Sequence, residues 1–292
     1  MDRFAEKQRK IDQRRTEASV LYPALWTNMI VDWNKADLED RAWLTYSANY
    51  LFRSNKIRWA IDPLTLNWRI KDAPKVDVAR DLSSLSFVLL THGHKDHLDI
   101  DLLSTLRDLP ITWVVPEFIL PKVIRPAGLP RENIIVPSPL APIELNGIRI
   151  LPFDGLHWET SLDGNLKGVP AMGYLIECNG RRWLFPGDTR TFDASQLPAF
   201  GPVDVIFAHI WLGRGAALMD DPPLLDAFCR FFLDLSPHRL ILTHLNEFGR
   251  DANDHWDESH AQYVSSKFEQ IDPGIPVIPA FMGDSILLQY ES

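Results

Sequence analysis

The run Ser86–Thr91, SFVLLT, is continuously apolar through its middle and leads straight into Thr91-His92-Gly93-His94-Lys95-Asp96-His97. A strand with no apolar–polar alternation is covered on both faces, so its sheet must have a packed layer on each side. The rest of the chain agrees with such a layered fold. Ala42–Arg53 and Ile57–Ile61 flank Ser54-Asn55-Lys56 as the arms of a hairpin do. Asn146-Gly147 within Pro142–Phe153, and Asn179-Gly180 between Ala171–Glu177 and Arg182–Phe185, mark two further hairpin turns. Ile111–Val115, Val203–Ile210 and Arg239–Leu245 read as buried strands, and Val277–Tyr290 as the last strands around a turn at Gly283. Short helices are expected at Ile100–Leu109 and Glu117–Ile124, and longer ones at Leu224–Leu235 and Asp257–Ile271. Strands joined by both hairpins and helices fit an α/β fold of two packed sheets with helices outside.

A chain of 292 residues has room for one large domain or two small ones. Neither an internal repeat nor a linker interrupts it, so residues 20–292 are read as a single domain. Residues 1–19, dense in Lys, Arg, Glu and Gln, read as a polar N-terminal extension, helical or frayed. Between Leu21 and Trp43 no clear period emerges. The opening MDRFAEKQRKIDQRR lacks the apolar core of a signal peptide, and no apolar run approaches the length of a membrane span. Cys178 and Cys229 form no CxxC pair and read as small core residues, which points to a reducing compartment. A cytoplasmic protein is the expectation. The net charge of −9 argues against a nucleic-acid partner, which would need a basic face. Oligomeric state has no sequence signal.

Chemistry concentrates after the SFVLLT strand. His92 and His94 are two apart and point the same way in extended backbone, so both can bind one metal. Gly93 lets the chain bend between them. Asp96 and His97, past the bend, can turn toward a second ion. Crowded imidazoles repel when protonated, and a metal makes the crowding favourable.

This segment resembles the HxHxDH motif of the metallo-β-lactamase superfamily, and further elements of that pattern follow in order. They are His157 in FDGLHWET, Asp188 in WLFPGDTR and His244 in LILTHLNEF. Trp59-Ala60-Ile61-Asp62-Pro63 resembles the early strand that precedes the motif. The resemblance implies a four-layer αββα sandwich with two mixed sheets. It implies that His92, His94 and His157 bind one metal, that Asp96, His97 and His244 bind another, and that Asp188 bridges them. Two divalent ions, zinc first and manganese or iron as alternatives, would then activate water as hydroxide, with Asp96 and Asp188 as the catalytic carboxylates.

The Gly187-Asp188-Thr189 and His157-Trp158 pairs, with Gly173-Tyr174, are similar to the branch of ascorbate-phosphate lactonases and N-acyl-phosphatidylethanolamine phospholipase D. That implies a small-molecule or lipid-like ester as substrate, with a phosphodiester or phosphate-bearing ester preferred. A lactonase or another carboxyl-ester or thioester hydrolase is the alternative. A di-iron redox protein of this fold usually has a carboxylate where this chain has His94, and a nuclease would want a basic patch. Beyond the ligands, His209 at the end of VDVIFAHI, Arg214 in WLGRG and Trp158 are candidate substrate contacts. Arg214 suits an anion, because guanidinium grips phosphate or carboxylate bidentately. His255 and His260 are expected to be solvated.

Overall fold

A computed structural model describes residues 2–36, 39–70, 74–160 and 165–289. The first six strands, β1 (Arg41–Leu44), β2 (Tyr50–Ser54), β3 (Ile57–Ile61), β4 (Phe87–Leu89), β5 (Thr112–Val114) and β6 (Ile134–Ile135), lie side by side in chain order. The next group is β7 (Ile143–Leu145), β8 (Ile148–Asp154), the small β9–β10 ribbon (Trp158–Thr160 and Leu166–Gly168), β11 (Met172–Cys178) and β12 (Arg181–Phe185). After these come β13 (Val205–His209), β14 (Leu240–Thr243), β15 (Val277–Pro279) and β16 (Ser285–Leu287). A second seven-stranded sheet takes the order β15-β14-β13-β12-β11-β8-β7, while β16 returns to close the first sheet beside β1. Each sheet mixes antiparallel hairpins with parallel strands, β3-β4-β5-β6 in the first and β12-β13-β14-β15 in the second.

Three apolar layers follow from strand alternation. Trp59, Ile61, Phe87 and Leu89 face inward and meet Tyr174, Phe185, Phe207 and Ile241 of the other sheet. Ala60, Val88 and Trp113 point outward under helices α1 (Arg3–Trp33), α3 (Ile100–Leu106) and α4 (Leu120–Ile124), α2 being the short turn Val78–Asp81. Leu184, Ile206 and Leu242 point outward under α5 (Leu225–Asp234) and α6 (Glu258–Ile271). Helix, sheet, sheet, helix is the four-layer αββα sandwich. At its centre Phe52 stacks on Trp59 with centroids 3.9 Å apart, and Phe52 meets Phe185 edge-on at 5.4 Å, joining the sheets.

Two expectations change. Ala42–Arg53 is not one strand, because residues 45–49 loop out between β1 and β2 and carry Ser47 to the functional edge of the molecule. The N-terminal segment is one 31-residue helix that passes through Pro23 and on to Trp33, so the division drawn at residue 19 falls inside it. Its buried face runs Ile11, Ala18, Tyr22, Trp26, Met29, Ile30 and Trp33, a helical spacing that Pro23 and long polar intervals obscure. Indole donors lock it down: Trp33 Nε1 donates to the Phe52 carbonyl at 2.8 Å and Trp26 Nε1 to Asp81 at 2.8 Å. Strand β16 ends at Leu287, and Tyr290, the last residue of the expected final strands, lies outside the described residues. No described helix is long and apolar enough to cross a membrane. Both cysteines are buried and unbridged.

Candidate metal centre

Ligand-type residues gather where strands of both sheets end. His92 to His97 follow β4, Asp62 follows β3, Asp188 follows β12, and His244 follows β14. His209 is the last residue of β13, and His157 lies between β8 and β9. Parallel neighbours share one carboxyl edge, so their terminal residues converge there. The backbone is bent to aim them. Asp62 and His244 hold φ of 45° and 65°, and Gly187, at 71°, supplies a left-handed turn just before Asp188. The chain bends at Gly93, as expected. It has no positive φ, and an added side chain would press on Ile119 Cγ2 at 3.2 Å and displace the flexible end of Lys122.

Ligand atoms of His92, His94, His157 and Asp188 all lie within 4.8 Å of one another, as do those of Asp96, His97 and His244. Asp188 stands between the two sets. Its Oδ2 is 3.6 Å from His157 Nε2, 3.8 Å from His244 Nε2 and 4.0 Å from His92 Nε2, while Oδ1 is 3.3 Å from His97 Nε2. Asp96 Oδ2 lies 3.5 Å from His244 Nε2. The structure therefore brings together all seven residues named from the motif, six of them buried and His94 half-buried.

The Nε2 atoms of His92, His97, His157 and His244 are buried and make no hydrogen bond. An unsatisfied buried polar atom costs about 1–3 kcal/mol, and four that converge on one carboxylate fit the donor set of a metal centre. Burial, aided by neighbouring imidazoles, lowers the His92 pKa well below its usual value and that of His94 to about 4, keeping lone pairs available. Burial opposes charge on Asp188 as well, but His244 and His97 outweigh it and hold the carboxyl well below the ordinary carboxylate range.

Around this set lie supports with weak local sequence signals. Asp62, fully buried, accepts from His97 Nδ1 and from the Thr91 amide, both at 2.8 Å. Asn49 Nδ2 donates to the carbonyls of Asp62 and Asp96, both at 2.9 Å, and the His244 amide donates to Ser47 O at 2.8 Å. Burial brings the His209 pKa to about 4, so the imidazole is neutral and donates from Nδ1 to Asp188 Oδ1 at 2.9 Å. Its Nε2 then accepts from the Tyr50 hydroxyl at 3.0 Å. His209 is thus a buried partner of Asp188, and its Nδ1 would be free to join His97 and Asp188 in a ligand group only without that bond.

The other candidates sit further out. Arg214 is half exposed and ion-paired with Glu159. Trp158 is half-buried on β9 next to His157, its carbonyl accepting from the Thr191 hydroxyl. His255 and His260 are not solvated as expected: both are buried, and His260 accepts from the Asp257 amide in the capping box that starts α6.

An αββα sandwich with a histidine–aspartate cluster at the strand ends defines the metallo-β-lactamase fold class. Residues 59–245 match the family model of the Beta-lactamase superfamily domain, and the chain belongs to that superfamily. A protein named metal-dependent hydrolase from Thermoplasma acidophilum is 31% identical over 136 residues, a match that spans 46% of this chain and 56% of that relative. Among solved structures, a metallo hydrolase from the archaeon Ignicoccus hospitalis aligns over 86% of this chain and 99% of its own. Its TM-score is 0.62 at 18% identity. A diiron β-hydroxylase from Streptomyces venezuelae aligns over 85% of this chain and 54% of its own, with TM-score 0.58 at 17% identity. At such identities these two structures speak to the fold alone.

Proposed function

We propose that this protein is a metal-dependent hydrolase that uses two divalent ions, zinc by preference, to cleave a phosphodiester or phosphate-bearing ester. One observation carries the reading: four unpartnered histidine nitrogens converge with Asp188 between them. His92, His94 and His157 would hold one ion, Asp96, His97 and His244 the other, and Asp188 would touch both. When bound, two such ions supply Lewis acidity and acidify water toward neutral pH. Asp96 would orient the attacking water. Asp62 fixes His97, and His209 fixes Asp188, so neither turns away as charge develops. No serine or cysteine nucleophile is needed. Free buried cysteines accord with a cytoplasmic setting.

The diiron hydroxylase of the same fold makes redox chemistry the second reading. His94, an imidazole where the di-iron proteins of this fold usually have a carboxylate, favours hydrolysis. A panel of phosphodiesters, lactones and thioesters, run with metal-loaded protein, tests the choice. Phosphodiester turnover that disappears in His92→Ala is expected. Turnover of lactones or thioesters alone would move the substrate to the carboxyl-ester class. Iron-loaded protein with a visible absorption band and no turnover of any ester would replace hydrolysis by redox chemistry.

A further inference from the structure

Beside the metal cluster, three guanidinium groups crowd one indole. The Cζ atoms of Arg190, Arg214 and Arg250 lie 4.7, 5.7 and 5.9 Å from the Trp211 ring centroid. Each cation gains from the ring face, yet like charges this close repel unless anions sit among them. Asp188, Glu159, Asp96, Glu247 and Asp254 all act on these arginines, but Asp188 and Asp96 belong to the ligand cluster and Glu159 and Glu247 are shared. Glu159 serves both Arg214 and Arg190, and its 3.7 Å approach to Arg190 is longer than a hydrogen bond. Arg250 has Asp96 at 3.4 Å and Glu247 at 3.8 Å, but Asp96 belongs to the ligand cluster and Glu247 is paired with Arg69 at 2.6 Å. Binding of divalent ions would add further positive charge next door.

Unused polar atoms mark the same place. Thr189 Oγ1, Trp211 Nε1 and Arg250 Nε are buried and make no hydrogen bond. Thr189, Arg190 and Trp211 line a tight recess with Asp188, His209 and His244 beside the cluster. Arg250 lies outside that lining and joins it through the Trp211 ring that it shares with Arg190. The Arg190 and Arg250 side chains are 10% and 19% exposed, whereas Arg214 is 49% exposed and held by Glu159 at the rim. Recessed guanidinium groups bind oxyanions far better than exposed ones, because solvent screens them less.

We propose that Arg190 and Arg250, packed on Trp211 with Thr189 beside them, form a subsite that seats a phosphate-type oxyanion of the substrate next to the metal cluster. The word substrate rests on the hydrolase reading; the oxyanion subsite rests on the arginine cluster. It assigns the anion-binding role to the two partly buried arginines in place of Arg214.

The test is calorimetric binding of phenylphosphonate and of neutral benzyl alcohol to the metal-loaded full chain, with metal content measured on every sample. Wild-type protein is expected to bind the phosphonate and not the alcohol. Arg190→Gln is expected to weaken phosphonate binding about ten- to a hundredfold with metal content unchanged. Arg190→Lys, which keeps the charge and loses the planar fork, is expected to fall between. Arg250→Lys should weaken binding similarly, while Arg230→Gln, on the exposed face of α5, should match wild type. Unchanged phosphonate affinity in metal-loaded Arg190→Gln and Arg250→Lys would overturn the subsite, as would wild-type protein that binds no phosphonate. If the wild type cleaves no ester yet binds phosphonate in this arginine-dependent way, the hydrolase reading fails and the subsite stands.

Discussion

Asp188→Ala is expected to lose at least one metal ion and nearly all hydrolysis, while Asp193→Ala keeps both. The two aspartates are five residues apart and differ in every physical respect. Asp188 is buried, and its two oxygens face His157, His244 and His92 on one side and His97 on the other. Removing it leaves converging imidazoles with no negative charge between them, so two dications can no longer share the cavity. Asp193 is exposed and caps the short turn Ala194–Gln196, accepting from the Ser195 amide at 3.1 Å. Losing such a cap costs about 1 kcal/mol of stability and leaves the chemistry intact. Asp188→Asn, which keeps the shape, should behave like Asp188→Ala in metal content and so separates binding from folding. Equal metal retention in the Asp188 and Asp193 variants would contradict the bridging role.

The second large effect is expected from Asp62→Asn. Asparagine tolerates the left-handed backbone that Asp62 adopts, so the substitution tests chemistry and not strain. Burial opposes charge on His97, but Asp188 and Asp62 outweigh it and hold its pKa well above the usual value, so a metal at Nε2 must displace a proton there. Asp62, accepting from Nδ1, keeps the remaining proton on Nδ1 and so leaves Nε2 to the metal. An amide cannot accept from Thr91 and His97 with both its ends. With its NH₂ toward His97, it drives the proton to Nε2, where it blocks a metal. Supports of this kind are worth about 10–100-fold in metal affinity. Chelator competition should therefore show one ion weakened by that factor, the one assigned to Asp96, His97 and His244, with the other less affected. Two unchanged affinities would show that Asp62 holds the backbone alone.

What the sequence revealed follows from how local each feature is. Four of the seven ligand-type residues sit within His92–His97, where crowded histidines need no tertiary context to stand out. His157, Asp188 and His244 were readable only through the resemblance to the superfamily's ordered pattern, because each is ordinary by itself. Buried strands were visible from their apolar runs, and two packed sheets with helices outside from hairpins alternating with helices, while the four-layer αββα order came from the resemblance. The helix beyond residue 19 was obscured by Pro23 and by aromatic residues whose partners, such as Phe52 and Asp81, come later in the chain. Supports of the site depend on contacts that no window of sequence contains. Tyr50 reaches His209 across 159 residues, and Arg250 reaches Asp96 across 154. The pairing of Arg214 with Glu159, which neutralises the arginine the sequence favoured, likewise needs the folded chain.

Two divalent ions per chain is the central claim, and inductively coupled plasma mass spectrometry addresses it directly. Protein dialysed against trace zinc, manganese or iron should retain close to two ions per chain for at least one of these metals, and His92→Ala should retain fewer. A stoichiometry near zero for wild-type protein under all three loading conditions would contradict it.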